Sequence, residues 1–581
     1  MTHRLNTAAQ YSTFLLLVIV TVSSFYLSWA CEQGLGYLNV ERVSLERYPG
    51  RTVDFLVYRP ISPVHEGPMP IILTIHGLAG SKEGMYSFNT ELARRDLVVV
   101  SVDLPGHGDS VLPFDIQELG PIAEDCYAAL RYVQSSSMMI DNTSYAVLTH
   151  SIGAEIAILL SQYPVKPMGY VFVGWAPSVE TPPGNMMIAI GVVDEMVSVE
   201  VALDVIRRGT GLSSVEPDVT YGSFEDGTAY RVSVAPTEHV FAAVDPIVVS
   251  SSIWWLTQCV RGSDESDIVP SSSNMVFQLR TVGMTTGAFA LLVSVLPLST
   301  IFRRLGNRSV FSMRLELYVS GDPVRRLIMS AALGVVMTVV FVVNQVLSLY
   351  LFYWGLNWPS SMFAPGVMAF FAIFPACGIF VLRRIGVLRL SNGANGESIS
   401  TTEGSGTARS IIIGTAEGIA IVGSIIILYY VASVVVSPGA TVTLYLVRFP
   451  NTVRLVNTLL MIPAALVFTV FDCIWVKCLL MSRMRSTGPE VEARDTVLAI
   501  ASRLLPAAGS AALAVFLITV AGYVTGPLVL VGLLLLTVTV ISSLTTLLFV
   551  SSPATLRNIF GEALVASFLL CWAIVSSLPL V

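Results

Sequence analysis

The sequence predicts two architectures in one chain: an α/β domain built on a mostly parallel sheet, then an all-α polytopic membrane domain. Three observations predict this. Up to about residue 262, short apolar runs bounded by Gly, Pro or polar residues alternate with helical patterns, as buried parallel strands and their crossover helices do. Beyond about residue 280 the apolar runs lengthen to what a bilayer requires. Charge divides at the same place. Residues 271–581 hold 19 Lys+Arg against 10 Asp+Glu, which leaves 14 against 30 before them from the chain's 33 and 40. A composition of 54% hydrophobic and 13% charged residues is too apolar for a soluble protein. No basic stripe points to a nucleic-acid partner.

Taken in order, Tyr11 to Ala30 is an uncharged run of about 20 residues preceded by His3 and Arg4. It is long enough to span a bilayer. It also ends Ser28-Trp29-Ala30 before Cys31, which suits signal cleavage. Residues 1–31 are therefore an anchor or a signal segment, and either one delivers the following chain across the membrane. Residues 40–262 form the α/β domain. Strands are expected at Ile71–Ile75, Leu97–Val102, Tyr145–Leu148, Tyr170–Val173, Met186–Ile190 and Tyr230–Val234, with helices over Ile122–Val133 and Ile152–Leu160. The polar stretch GSDESDIVPSSSNM makes 263–275 a linker.

Residues 276–581 carry about eight apolar runs, near 282–301, 327–353, 365–382, 410–437, 456–476, 504–523, 525–549 and 562–580. With the α/β domain outside, the inner loops hold sixteen Lys and Arg, and the outer side keeps only Arg280, Arg448 and Arg454. This bias obeys the positive-inside rule. It predicts an integral protein of the cell membrane with an inside N-terminus, roughly nine transmembrane helices and an extracytoplasmic α/β domain. Glu417 and Asp472 are ionisable residues inside these runs, expected near the inner face where water or hydrogen bonds reach them. Of the seven cysteines, Cys126 and Cys259 lie in the α/β domain and either pair or remain buried thiols. No zinc or haem motif is present.

Four stretches carry chemistry. ILTIHGLAGSKEGM (72–85) is a strand followed by the turn of His76 and Gly77, where the Leu78 amide suits an oxyanion hole. VVVSVDLPGHGDS (98–110) is a strand ending in a Gly-rich turn. VLTHSIGAEIA (147–157) puts Ser151 on a strand–helix corner between His150 and Gly153, with Ile152 as the second amide donor. The fourth is a carboxylate and a base: Asp194 after MMIAIG, beside Glu195 as a competing carboxylate, and His239 after YRVSV. Serine is a poor nucleophile until a base takes its proton. His239 would be that base, with Asp194 fixing its tautomer. The order Ser, Asp, His, each about one helix–strand unit apart, places all three at the carboxyl ends of parallel strands.

HGLAGSKEGM, DLPGHGDS, THSIGAE, VVDEM and TEH resemble the α/β-hydrolase superfamily, nearest its dienelactone hydrolase and serine aminopeptidase-like branches, over about residues 45–262. The resemblance implies hydrolysis of an ester, thioester or amide through an acyl-enzyme, with catalytic Ser151, Asp194 and His239. It also implies oxyanion amides at Leu78 and Ile152, and no metal or organic cofactor. His76, Gly77, His150 and Gly153 support the motifs. Thr149 departs from the pattern, because a tight elbow favours a small residue there. Its β-branch suits a strand, so the elbow is expected to form with slight adjustment. WAPSVETPPGN (175–185) leaves no room for a lid, so the bilayer or an outer loop is expected to roof the site. The partners expected are a small-molecule, lipid or peptide substrate and the bilayer itself. The competing readings are a transporter or receptor with a ligand-binding hydrolase-like domain, and an acyltransferase at the membrane surface.

Overall fold

The computed structural model describes residues 2–262, 270–305, 317–318, 332–337, 339–345, 347–348, 364–384, 389–390, 404–436, 452–476, 538, 541, 545, 556–577 and 580. Two compact units emerge. One consists chiefly of residues 22–287 together with Leu580; the other comprises residues up to 21 and most of 288–578.

In the first unit, the end of α1 (Thr2–Glu32), from residue 22 on, leads into an eight-stranded sheet ordered β1-β2-β4-β3-β5-β6-β7-β8. The strands are β1 (Leu38–Tyr48), β2 (Arg51–Pro60), β3 (Ile71–Ile75), β4 (Val98–Val102), β5 (Tyr145–His150), β6 (Pro167–Val173), β7 (Met186–Gly191) and β8 (Tyr230–Ala235). From β4 to β8 all neighbours are parallel. All six expected strands are present, with ends that differ by up to three residues. The antiparallel hairpin of β1 and β2 was not foreseen. β1 (LNVERVSLERY) is an edge strand whose residues beyond Leu38 are exposed or half-buried, so it lacks the apolar run that marks a buried strand. Gly50, at φ 85°, supplies the left-handed turn into β2.

Helices cover both faces. α3 (Leu119–Gln134), α4 (Gly153–Leu160) and α5 (Val199–Thr210) pack on one side, and α2 (Tyr86–Ala93) and α6 (Pro246–Arg261) on the other. Their ends follow from sequence. The Ser198 hydroxyl accepts from Val201 N to start α5. Asp245 accepts from Ile247 and Val248 N ahead of Pro246 in α6. Gly211 and Gly262 close the two helices in left-handed conformations. Cys126 and Cys259 are buried free thiols, one in each core layer, which decides between the two alternatives.

Five described helices are long and apolar enough to cross a membrane: Ala8–Glu32, Phe277–Phe302, Ala408–Val431, Thr452–Ile474 and Ile559–Ser576. Ala332–Gln345 and Ala364–Phe380 are shorter apolar helices. The run expected at 282–301 starts earlier, at Phe277, because the first turns of α7 (Phe277–Val293) pack on the α/β domain. The run at 504–523, and all of 525–549 but three residues, lie outside the described residues.

In the second unit, Phe370, Phe371, Phe374, Phe468 and Phe471 form an aromatic core. Helices 404–436 and 556–577 approach closely at small residues: a Cβ on Gly418 would come within 2.7 Å of Gly561 O. This is small-residue packing of the GxxxG kind, here Gly414 and Gly418. Two charged residues are more enclosed than the sequence suggested. Asp472 is 1% exposed, and Arg454, assigned to the outer side, is buried and donates to Val575 O.

Candidate active site

β5 ends in His150, and the chain turns at once into α4. Ser151 sits on that corner with φ 53°, a left-handed conformation that costs a non-glycine residue roughly 1–2 kcal/mol. Its amide donates to Val173 O at 2.9 Å. Close packing holds the turn. A Cβ on Gly153 would lie 2.8 Å from Ile75 O, and one on Gly77 would lie 2.8 Å from the Ser151 Cβ. Thr149, by contrast, is accommodated in regular strand register between Ile75 and Phe172. The elbow is undistorted, but the buried Thr149 hydroxyl finds no hydrogen-bond partner among the described residues. Thr149→Val is therefore expected to raise unfolding stability by about 1 kcal/mol and to leave turnover within twofold. A thermal-unfolding series checks this; a destabilised variant would mean that the hydroxyl is satisfied.

Three side chains from separate loops meet here. His239 Nε2 lies 3.1 Å from Ser151 Oγ, and His239 Nδ1 lies 3.2 and 3.1 Å from the two Asp194 oxygens. Asp194 is itself fixed, since Oδ1 accepts from Met196 N at 2.9 Å and Val197 N at 3.1 Å. Glu195 plays another part: its carboxylate accepts from the His239 backbone amide at 3.3 Å. Of the two carboxylates, Asp194 thus lies against the ring of His239 and Glu195 against its backbone.

Burial alone would lower the His239 pKa, but the Asp194 hydrogen bond and the charges of Asp194, Glu195 and Glu238 outweigh it and raise it above 6.5. A base works only when neutral, so kcat/KM of a His239-dependent reaction is expected to rise with pH through an apparent pKa above 6.5. A pH–rate profile checks this; a limb at or below 6.5 would mean that Asp194 does not stabilise the imidazolium. His150 behaves oppositely. Burial, then the nearby His239, pull its pKa down to about 4. It is neutral and donates from Nε2 to His239 O at 3.1 Å.

The remaining expected residues surround this trio. The amides of Leu78 and Ile152 donate to no acceptor among the described residues. His76 donates from Nδ1 to Gly77 O at 2.7 Å and accepts from Leu104 N at 3.1 Å, which ties the Gly77 turn to the β4 turn. Sequence reasoning missed the ion cluster beneath these turns. Lys82 is fully buried; its amide donates to Asp103 Oδ1 at 2.8 Å, and its ammonium pairs with Asp103, Asp109 and Glu83. Arg42 bridges Glu83 and Asp109. Single charged residues in Gly-rich turns carry no sequence mark that separates a buried pair from a solvated one. Gly174 was missed as well: at φ 64°, a Cβ there would meet His239 Nδ1 at 3.0 Å and Asp194 Oδ2 at 3.4 Å. Residues 174–185, between β6 and β7, contain no helix or strand. Among the described residues no group of His, Cys, Asp or Glu could hold a metal ion.

Residues 72–267 match the family model described as alpha/beta hydrolase family. The first unit is an α/β-hydrolase domain with a mostly parallel sheet, followed by a helical region with several apolar helices. No curated protein matches the chain. Among solved structures, a Vigna radiata epoxide hydrolase mutant is similar at 20% identity over 25% of this chain and 41% of its own, with a TM-score of 0.20. A bacterial heroin esterase is similar at 17% identity over 39% and 84%, with a TM-score of 0.28. A methylesterase is similar at 16% identity over 46% and 68%, with a TM-score of 0.33. The chain spans less than half the length of the epoxide hydrolase it matches.

Proposed function

We propose that the chain is a membrane-bound serine hydrolase that cleaves an ester, thioester or small amide through an acyl-enzyme. The observation that carries this reading is the hydrogen-bonded series Ser151–His239–Asp194, with Ser151 held at positive φ. Five apolar helices and the basic inner loops support a membrane location with the α/β domain on the extracytoplasmic side.

In the first step Ser151 Oγ bonds to the substrate carbonyl carbon while its proton passes to His239 Nε2. The amides of Leu78 and Ile152 stabilise the oxyanion; one such donor is worth about 2.7–4 kcal/mol in a measured case. The bond to the leaving group then breaks, and the leaving group takes the proton from His239. Water, deprotonated by His239, attacks the acyl-enzyme, and the acid departs as Ser151 regains its proton. A domain that only binds ligand needs neither a proton relay nor two free amides beside it, which favours catalysis over the receptor reading.

The test is turnover of p-nitrophenyl butyrate by the full-length protein in detergent, with Ser151→Ala as control. Ser151-dependent release of nitrophenol is expected. Equal rates in the two proteins would overturn the proposal.

A further inference from the structure

β1 is one edge of the eight-stranded sheet, with β2 as its single neighbour. Hydrogen bonds show which of its backbone groups face outward. Asp103 N donates to Asp54 O, so the even-numbered residues of β2 bond toward β4. The odd-numbered residues of β2 therefore bond toward β1, where the register sets them opposite Asn39, Glu41, Val43 and Leu45. Two contacts at the start of β1 agree. Ile61 N donates to Tyr37 O, while Leu38 N turns away from β2 and donates to Gln33 O. Val40, Arg42, Ser44 and Glu46 thus point their N–H and C=O groups to the outer edge of the sheet.

The side chains along this edge read ERVSLER (41–47), an order that is self-complementary about Ser44. Set two such strands antiparallel with Ser44 opposite Ser44. Arg42 then faces Glu46, Glu41 faces Arg47 and Val43 faces Leu45, each pair occurring twice. Even-numbered residues also meet one another, so the outward backbone groups of Arg42, Ser44 and Glu46 find partners. Opposite charges and apolar residues directly across two strands stabilise their pairing, and like charges oppose it. A shift of two residues matches none of these charges, and a shift of four sets Arg42 or Glu46 against itself. The guanidiniums are already fixed in place, Arg42 by Glu83 and Asp109 and Arg47 by Glu124 and Asp125. Glu46 is exposed and pairs with no cation among the described residues. Val43 and Leu45 are half-buried against the core.

We propose that β1 is a dimer contact, pairing antiparallel with β1 of a second copy of this chain about a twofold axis at Ser44. The two sheets become one continuous sheet. A twofold contact presents the same patch from both copies, so it must be self-complementary, as the sequence about Ser44 is. Charges on an edge strand ordinarily keep other strands away. Here they repel or go unmatched in the shifted registers and attract in one. β2, β4 and β3 separate β1 from β5, which carries the chain to Ser151, so each copy keeps its own complete site. The contact is independent of the hydrolase reading.

The test uses the full chain in detergent. Light scattering is expected to give the wild type the mass of two chains. Single cysteines then read the register through a methylene-bridged bismethanethiosulfonate. Ser44→Cys puts two thiols on the axis, where the Cα atoms of a hydrogen-bonded pair lie about 5.5 Å apart. In Glu46→Cys the two thiols are offset by four residues, about 14 Å. Ser44→Cys is expected to form at least tenfold more crosslinked dimer than Glu46→Cys or the wild type. Adding Glu46→Arg to Ser44→Cys sets a cation against Arg42 and is expected to cut that dimer at least tenfold, with thermal unfolding unchanged. A single-chain mass for the wild type, equal crosslinking at positions 44 and 46, or a dimer indifferent to Glu46→Arg would overturn the proposal.

Discussion

Asp194→Asn is expected to lower kcat by about 10⁴-fold, the scale seen when a triad carboxylate becomes an amide. The Asp194 carboxylate accepts the Nδ1 proton of His239, so Nε2 turns a lone pair toward Ser151 Oγ. An amide nitrogen at the same place donates instead. The imidazole then takes the other tautomer, with its proton aimed at the serine it must deprotonate. Gly174, close against both His239 and Asp194, leaves little room for the ring to avoid this. The substitution is a clean one, because Asn retains an oxygen for the Met196 and Val197 amides that shape the loop. Steady-state kinetics with a thermal-unfolding control check it. A fall of less than tenfold would exclude Asp194 as the partner of His239 and direct attention to Glu195, whose conversion to Gln is expected to cost far less.

Lys82→Met is expected to destabilise the α/β domain by about 3–5 kcal/mol, the usual consequence of removing one partner from a buried ion pair. The ammonium is enclosed with Asp103 and Glu83 and reaches Asp109 at 2.6 Å. Without it, Glu83 and Asp109 keep their pairing with Arg42, and Asp103 loses the ammonium. The effect should also reach the site. The Lys82 amide and the His76 ring both tie the Leu78 turn to the turn after β4. Denaturant unfolding of the detergent-solubilised chain reads the stability loss. A change below about 1 kcal/mol would mean that water already reaches Lys82.

The residues that meet at the site were legible because each ends a short apolar run. A side chain just past a buried parallel strand must lie at the carboxyl edge of the sheet, whatever the loops do. Ser151, Asp194 and His239 were therefore legible from their spacing together with the resemblance of their motifs to the α/β-hydrolase superfamily. The parts that were not legible depend on partners distant in sequence. β1 gave no apolar run because its side chains largely face water. Lys82 pairs with residues 21 and 27 positions away. Leu580 docks on a turn more than 400 residues earlier. Thr149 read as a steric fault, whereas its difference is a polar one: the β-branch fits the strand and the hydroxyl goes unsatisfied. α7 starts ahead of its apolar run because hydropathy marks where a helix becomes apolar, while Phe277 to Thr281 are bound to α2 by hydrogen bonds and a cation–π contact.

An activated Ser151 is open to covalent capture. The full-length protein is treated with a fluorophosphonate, digested, and its peptides are weighed by mass spectrometry. A single phosphonylated residue is expected, Ser151, with labelling abolished in Ser151→Ala and slowed by at least a hundredfold in His239→Ala. An unlabelled Ser151 in folded protein, or labelling that is indifferent to His239, would contradict it.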